Sequence, residues 1–492
     1  MKLKTVSSIM RRFLAVSILL LPCLLTAAEK APYKPKLTNS KNQSFQDFPM
    51  GVLSATGRLE DKEKQILVMD VGKGGAGERG GLRTGDRILS IQGKYPGAFS
   101  MKTDTGLEGP QAVLGETLNT SCAAITNQLE LQVQRDDKKI TLKVRVPKSP
   151  AFASSFPNRC AKSKTYLKAI ADHLVDIQQK DGRWKPGVGG DADVYMSAFC
   201  GLTLIAADNR AHLPAIKRAI NFIQTKSISK IKLEDPKVGP KNWQTASSAI
   251  FLAEYQLATG DDAYFKDLAK CCDLLTARVT ERGTMGHHFA IPYNGGGLVI
   301  INTQVHLAWA LASRCGYKIN RGAWDRSLKE VEASIHKKTG AIGYSSRARS
   351  SPDISARTGA MACALAVIRL EPRLAKQLGD SLVNHPNRMR HAHAMSSIGL
   401  IYGISGIRMT NPAGYRKVMQ IWKPYLELCR TSAGPAAYFG SKRNYGGDSY
   451  LGLHPIGNAT VGLMLASTEG RLFMQGGTKV AWFGGRPGRP IR

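Results

Sequence analysis

Two loops of this 492-residue chain concentrate side chains able to move a proton or hold an anion. The first runs from Gly286-His287-His288-Phe289 to Tyr293-Asn294-Gly295, with Asn302, Gln304 and His306 close behind. The second holds Tyr438, Tyr445, Asp448, Tyr450, His454 and Asn458. A Tyr or His acting as base and acid, with Asn neutralising a uronate carboxylate, is the equipment of an eliminating lyase on acidic polysaccharide. Tyr293, His454, Asp448 and Asn458 are therefore the catalytic candidates. The plainer reading is that Gly-rich loops turn tightly while His and Tyr satisfy buried backbone groups.

These loops lie between helices. From about Thr165 the chain is a succession of apolar and amphipathic segments with little strand-like alternation. The segments repeat loosely as an outer helix, a loop with Gly and an aromatic residue, and an apolar helix rich in Ala, Gly and Ser. The clearest copy is Gln178-Gln179-Lys180-Asp181-Gly182-Arg183-Trp184 followed by Asp191 to Leu204; later apolar helices start near Gln244, Thr303, Arg357, His393 and Gly457. Six such helices predict a ring of six inner and six outer helices, an all-α (α/α)6 toroid. The inner helices would open their N-termini onto one mouth, where unpaired N–H groups favour anions. Trp184, Asp191, Asp193, His287 and Tyr445 are the candidates to line that cavity.

The segment Gln178 to Trp184 is similar to the repeat signature of the terpenoid cyclase and protein prenyltransferase superfamily. The chain as a whole resembles an uncharacterised family of exported bacterial proteins that join a PDZ-like domain to such a toroid. That resemblance implies the fold and no activity. Squalene-type cyclases carry Asp-x-Asp-Asp before an inner helix. Here Asp191-Ala192-Asp193 ends in Val194, so the acid that would tune a proton donor is missing, and Asp193 reads as a helix cap. No Asp-x-Cys with a downstream His stands where prenyltransferases hold zinc, and His391 and His393 are two apart, which is not a shared helix face. The expectation is no metal and no cofactor.

Upstream of the helices, Gln65 to Val71 reads as a strand. Gly77 to Gly80 is a short helix, Ile88 to Gly93 a strand after a Gly85-Asp86 turn, and Gln111 to Thr126 a helix. Leu129, Leu131 and Val133 then alternate, and after Asp136-Asp137 so do Ile140, Leu142, Val144 and Val146, as in a closing hairpin. The stretch Gly81 to Gly93 resembles the core of a bacterial PDZ domain. A PDZ domain adds an extended peptide to a sheet edge. The resemblance implies a carboxylate-binding loop at Gly51, Leu53, Thr56 and Gly57, and so a peptide or protein partner; the alternative is a packing module with no free groove.

The domain plan is a signal peptide at 1–28, a linker at 29–45, a PDZ-like domain at 46–147, a linker at 148–164, the toroid at 165–472 and a basic mobile tail at 473–492. Lys2, Lys4, Arg11 and Arg12 precede the apolar run Phe13 to Leu25 and the small residues Thr26-Ala27-Ala28, which predicts export. The net charge is +32. Such a surplus favours an anionic glycan or lipid, and export argues against nucleic acid. The nine cysteines are too sparse and irregular for a disulfide scaffold. Two functions stay open: an exported binding protein whose toroid takes an anionic or apolar ligand, and a toroid enzyme, a lyase ahead of a cyclase.

Overall fold

The computed structural model describes residues 33–38, 43–100, 106–107, 109–185, 192–291, 296–350, 354–393, 395–441 and 445–481. The expected signal peptide at 1–28, Asp191, Tyr293 and the last eleven residues lie outside that set.

The N-terminal unit is one antiparallel sheet in the order β1 (Phe45–Pro49), β2 (Ala55–Glu60), β3 (Ile66–Val71), β4 (Arg87–Ile91), β5 (Gln128–Arg135), β6 (Lys138–Arg145). Between β3 and β4 lies the short helix α1 (Ala76–Arg79), and between β4 and β5 lies α2 (Gly109–Ala123). Period-two patterning explains β5 and β6. Leu129, Leu131 and Val133 are fully buried, and Leu131 and Val133 pair with Leu142 and Ile140 across the ladder.

One departure from the sequence reading concerns the expected peptide loop. Phe45–Pro49 is a strand that the sequence reading did not mark, and it occupies one edge of β2 while β3 holds the other. Gly51–Leu53 is a turn of 3-10 helix, and Leu53 and Thr56 have no exposed surface. A Cβ on Gly51 would stand 2.9 Å from the carbonyl oxygen of Glu427. With both edges of β2 paired and the loop packed against the helical unit, no peptide can add there without displacing β1.

Outer and inner helices then alternate: α3 (Ala161–Asp176) and α4 (Ala192–Asp208), α5 (Leu213–Lys226) and α6 (Asn242–Thr259), α7 (Phe265–Ala277) and α8 (Val299–Arg314), α9 (Arg321–Ala333) and α10 (Ser355–Ile368), α11 (Pro372–Asn384) and α12 (Ser396–Thr410). The sixth pair is α13 (Pro412–Ile421) with α16 (Leu453–Ala466), separated by the short helices α14 (Lys423–Cys429) and α15 (Tyr445–Leu451). Each inner helix packs on the next, and α16 packs on α4, so the ring closes. The protein is therefore an antiparallel sheet unit followed by an (α/α)6 toroid.

Composition explains the two helix classes. The outer helices bury one stripe; α5 buries Ile216, Ile220 and Ile223 and exposes Arg218 on another face. The inner helices are buried all round, and α6 buries every residue except Trp243. Small residues set the closest approach: a Cβ on Gly359 of α10 would stand 2.3 Å from the carbonyl oxygen of Tyr402 on α12. The repeat is also visible in its loops. Gly182, Gly283, Gly340 and Gly434 all have positive φ, and each donates its N–H to a carbonyl three or four residues earlier.

The two units are joined by a buried ionic knot. Glu427 of α14 meets Lys162 of α3 at 2.6 Å and Arg430 at 2.5 Å. Lys162 donates to Asn119 and Arg430 donates to the Cys122 sulfur, both on α2. Burial pushes the Glu427 carboxyl up, but Arg430 and Lys162 outweigh it and hold the group below the usual range. The α2–α14 contact is close enough that a Cβ on Gly115 would stand 2.4 Å from the Pro424 carbonyl oxygen.

The C-terminal segment differs from the expected mobile tail in its first residues. Phe473–Gln475 form a 3-10 turn that packs on α6, α10 and α12. Glu254 of α6 accepts the N–H groups of Phe473 and Met474, both at 2.7 Å, and the Gln475 amide donates to Leu463 and Ser405. Met474 is fully buried. The segment plugs the ring among the later turns of the inner helices. An apolar Met and three satisfied polar groups are what a mobile tail would lack.

Candidate functional site

Among the described residues, the opposite end of the ring holds a cavity. A cavity of about 520 Å3 lies at the first turns of the inner helices, lined by Ala192 and Tyr195 of α4, by Lys241, Trp243 and Gln244 at the start of α6, by His287, by His393 and Met395 before α12, and by Tyr450 and Leu451 of α15. Its wall is mainly apolar and aromatic, as ligand pockets are.

Arg278 builds the rim. This buried guanidinium donates to the carbonyls of Pro236, Pro240 and Val238 and to the Asn242 side chain, at 2.7 to 2.9 Å. Burial pushes its pKa down to about 10, which leaves it charged at neutral pH. Asn242 in turn donates its backbone N–H to the His287 carbonyl and its amide to the Gly286 carbonyl, both at 2.8 Å. The loop carrying His287 is thus fixed to the start of α6, one residue from Trp243.

Trp243 and His287 form one flat surface. The indole N–H donates to Nδ1 of His287 at 2.7 Å, and the two rings are inclined by 27°. His393 lies 5.8 Å from Trp243 at 30°, and Tyr344 continues the row 5.3 Å from His393 at 32°. Tyr195 meets Trp243 edge-on at 5.7 Å. The Arg357 guanidinium sits 5.7 Å from the Tyr344 ring.

The charges are one-sided. Lys241 lines the cavity, and among the described lining residues there is no carboxylate. Burial, with help from Lys241, lowers the His287 pKa. Burial, Arg357 and His287 push His393 down to about 3. Both imidazoles are neutral at pH 7. Because Nδ1 of His287 accepts the indole proton, its own proton sits on Nε2, which is therefore a donor.

Of the residues singled out from sequence, His287 and Tyr450 line this cavity. Asp191 and Tyr293 lie outside the described residues. His454 Nε2 faces His173 Nε2 at 2.6 Å in a separate crevice walled by Tyr33 to Leu37. Asp448 is fully buried and caps α12, accepting the N–H groups of Ser396 and Ser397 at 3.1 Å and the Tyr438 hydroxyl. Burial pushes it up to about 6 against those bonds. Asn458 exchanges hydrogen bonds with the Ala436 backbone. The three do not converge on one open space. Trp184 is buried, its N–H on the Leu174 carbonyl. Asp193 is buried in the first turn of α4, accepting the Val194 N–H and lying 3.8 Å from Arg183. Tyr445 opens α15, with its side chain outside the described part of the structure.

The sequence reading missed Trp243, Tyr195, Lys241 and His393. A usable signal existed, since Trp243 and His393 stand where inner helices were expected to begin. All eight described cysteines are buried thiols, and among the described residues no group of three His, Cys, Asp or Glu is placed to hold a metal.

With this geometry in hand, residues 163–476 match the family model described as a domain of unknown function, DUF6288. The chain belongs to the DUF6288 family. The DUF6288 segment thus takes in the whole ring, from α3 to the plug. No functionally curated protein matches the chain. Among solved structures, it is similar to an inactive variant of an α-1,6-mannanase of glycoside hydrolase family 76 from Salegentibacter sp. in complex with α-1,6-mannotriose. That match has 11% identity and a TM-score of 0.46, and it covers 62% of this chain and 98% of the other. It is also similar to a type II terpene cyclase from Scytonema in complex with geranylgeranyl dihydroxybenzoate, at 12% identity and a TM-score of 0.42, over 62% and 97%. A possible member of glycoside hydrolase family 105 from Klebsiella pneumoniae follows at 14% and 0.42, over 65% and 95%.

Proposed function

We propose that the DUF6288 ring is a saccharide-binding toroid and that its ligand is an acidic glycan. The observation that carries this reading is the Trp243–His287 platform. A flat, rigid aromatic surface suits the apolar CH face of a sugar ring, and the Nε2–H of His287 and the Lys241 ammonium at its edge suit hydroxyl and carboxylate oxygens. Binding is favoured over turnover. Glycoside hydrolysis uses a pair of carboxyl groups across the scissile bond, and the described wall carries none. Elimination needs an unprotonated nitrogen or phenolate aimed at the ligand. His287 presents a proton there, and burial raises the Tyr195 hydroxyl well above its usual value, which leaves the neutral His393, held in the aromatic row between Trp243 and Tyr344, as the lining imidazole with a nitrogen free of that bond.

The N-terminal unit, with its PDZ-like order of strands and helices, acts as a brace. The edge of β2 that would take a peptide is filled by β1, and the Glu427 knot holds α2 to the ring. Export, with cleavage before Glu29, belongs to the same proposal, because an extracytoplasmic chain meets acidic glycans.

The test is calorimetric titration of the chain from Glu29 with an oligouronate, a neutral oligosaccharide and geranylgeranyl diphosphate. The oligouronate should bind, with affinity falling as salt is raised and at least about tenfold in Trp243→Ala. Binding of the diphosphate alone would replace this reading with an isoprenoid one.

A further inference from the structure

The loops of the ring are sorted by charge. Loops that carry an outer helix into the next inner helix lie at the cavity end, and loops that return lie at the plug end. In the first five pairs, the described residues within 177–191, 227–241, 278–298, 334–354 and 385–395 include fifteen Lys and Arg against four Asp and Glu. The return loops at 209–212, 260–264, 315–320, 369–371 and 411 hold three of each sign. Apart from Arg278 and Arg390, none of the fifteen cations is buried. A positive field is therefore concentrated at the cavity end.

The same end carries apolar tips. Single exposed hydrophobic residues are ordinary on a protein surface, but a cluster of them is not. Leu233, Val238 and Phe289 are 38 to 42% exposed. Leu233 lies in a turn closed by the Asp235 N–H on the Lys232 carbonyl, and Val238 closes the next turn on the Asp235 carbonyl. Arg278, which holds the Val238 carbonyl at 2.8 Å, also contacts Nε2 of His288, the neighbour of Phe289. That nitrogen is 3.0 Å from the Gly239 carbonyl oxygen, and the Lys237 ammonium sits 5.8 Å from the Phe289 ring. Two loops are thus tied into one ridge, in which the exposed Lys230, Lys232, Lys237 and Lys241 are interleaved with Leu233 and Val238. Two carboxylates share it, Glu234 and Asp235, and Asp235 is turned onto its own backbone, accepting the Lys237 N–H at 3.1 Å.

We infer that the cavity end of the ring docks on an anionic bilayer surface. Leu233, Val238 and Phe289 enter the headgroup region, and Lys230, Lys232 and Lys237 meet lipid phosphates. Charge alone would suit any polyanion. The apolar tips decide between partners, because a soluble polyanion gains nothing from them, whereas a bilayer interface takes apolar side chains and cations together. Docked this way, the cavity faces the bilayer, and a ligand displayed on lipid reaches it without leaving the surface. The inference does not rest on the saccharide reading, since the three apolar tips and these three lysines stand outside the cavity lining.

The experiment is flotation of the chain from Glu29 with vesicles of phosphatidylcholine, alone or mixed with phosphatidylglycerol. The chain should bind the mixed vesicles, ignore the neutral ones, and lose at least about tenfold affinity between low and high salt. Leu233→Ser, Val238→Ser and Phe289→Ser together should lose at least about tenfold on the mixed vesicles, at an unchanged melting temperature. Lys230→Gln, Lys232→Gln and Lys237→Gln together should lose as much. Arg210→Gln, Lys318→Gln and Arg369→Gln, the same change of charge at the plug end, should lose less than about twofold. An environment-sensitive dye on Val238→Cys should brighten on the mixed vesicles, the native described thiols being buried. A dye on Val480→Cys should not, because Val480 is held to the Leu257 carbonyl at the plug end. Equal losses from the two charge variants would reduce the contact to general basic attraction and overturn the inference. Full binding by the apolar triple variant would overturn it too, by showing a surface that reads charge alone. Wild type that binds an oligouronate and no vesicle ends the docking alone; wild type that binds vesicles and no oligouronate ends the saccharide reading alone.

Discussion

The indole N–H of Trp243 donates to Nδ1 of His287 across 2.7 Å, and this bond decides what the mouth of the ring can do. It flattens two side chains, one from the first turn of α6 and one from the loop after α7, into one surface and fixes the His287 proton on Nε2. Changing His287 to Ala should therefore cost less affinity than changing Trp243, because it removes one donor and half the tile. His287→Gln, which keeps a donor and an acceptor, should recover part of the loss. Titration of the three variants with the same oligouronate checks the order.

The plug gives a pH signature. Burial raises Glu254 to about 7 from an ordinary value near 4.5, although two backbone N–H groups oppose the shift. A carboxyl raised by folding contributes stability that is fully present below its unfolded pKa and is lost as pH rises through the folded one. Between about pH 4.5 and 7 this group should therefore cost stability, about 3 kcal/mol in all at 1.36 kcal/mol per unit. Asp448, raised to about 6, acts in the same direction over a lower window. Melting temperatures from pH 4 to 8 should show wild type losing stability relative to Glu254→Gln as pH rises. A constant difference between the two would contradict the assignment.

The ionic knot between the units makes a separate prediction. Lys162 is 2% exposed and Glu427 not at all. Removing Glu427 alone strands two buried cations, so Glu427→Ala should cost about 3–5 kcal/mol in chemical denaturation. Replacing Lys162 and Glu427 together with Met should cost much less. Equal losses in the single and the double variant would show that packing, not charge, holds the units together.

Two repeat glycines should separate steric from conformational cost. Gly182 has φ +94 and its added Cβ would lie 2.1 Å from the Arg218 carbonyl oxygen, whereas Gly340, at φ +68, has its nearest neighbour at 3.5 Å. Gly340→Ala should cost only the left-handed penalty of about 1–2 kcal/mol. Gly182→Ala should cost clearly more, because backbone must also move.

Much of the architecture is legible in the sequence because it depends on patterns that tertiary contacts do not override. Runs of Ala, Gly and Ser without a polar stripe can only be helices buried all round, and the six expected starts fall on α4, α6, α8, α10, α12 and α16. The hairpin at 128–145 follows from alternation. The site is less legible, because an Asp or His does not announce whether it faces a backbone or a cavity. Asp448 and Asn458 look catalytic by type, yet Asp448 is spent on the N–H groups that open α12 and Asn458 on the N–H and carbonyl of Ala436. His393 looks idle by spacing, yet the turn before α12 carries it to the mouth. The strand at Phe45–Pro49 is hidden for a similar reason: its burial comes from β2 on one side and, through the Gln46–Gln111 contact, from α2.

The most direct measurement is fluorine NMR of the chain from Glu29 labelled with 5-fluorotryptophan, titrated with an oligouronate. Trp184, Trp309, Trp324 and Trp422 are buried, and Trp243 faces the cavity. The resonance that disappears in Trp243→Phe should shift on titration while those four stay in place. A silent Trp243 with saturable binding detected elsewhere, or no change at any tryptophan, would contradict the account.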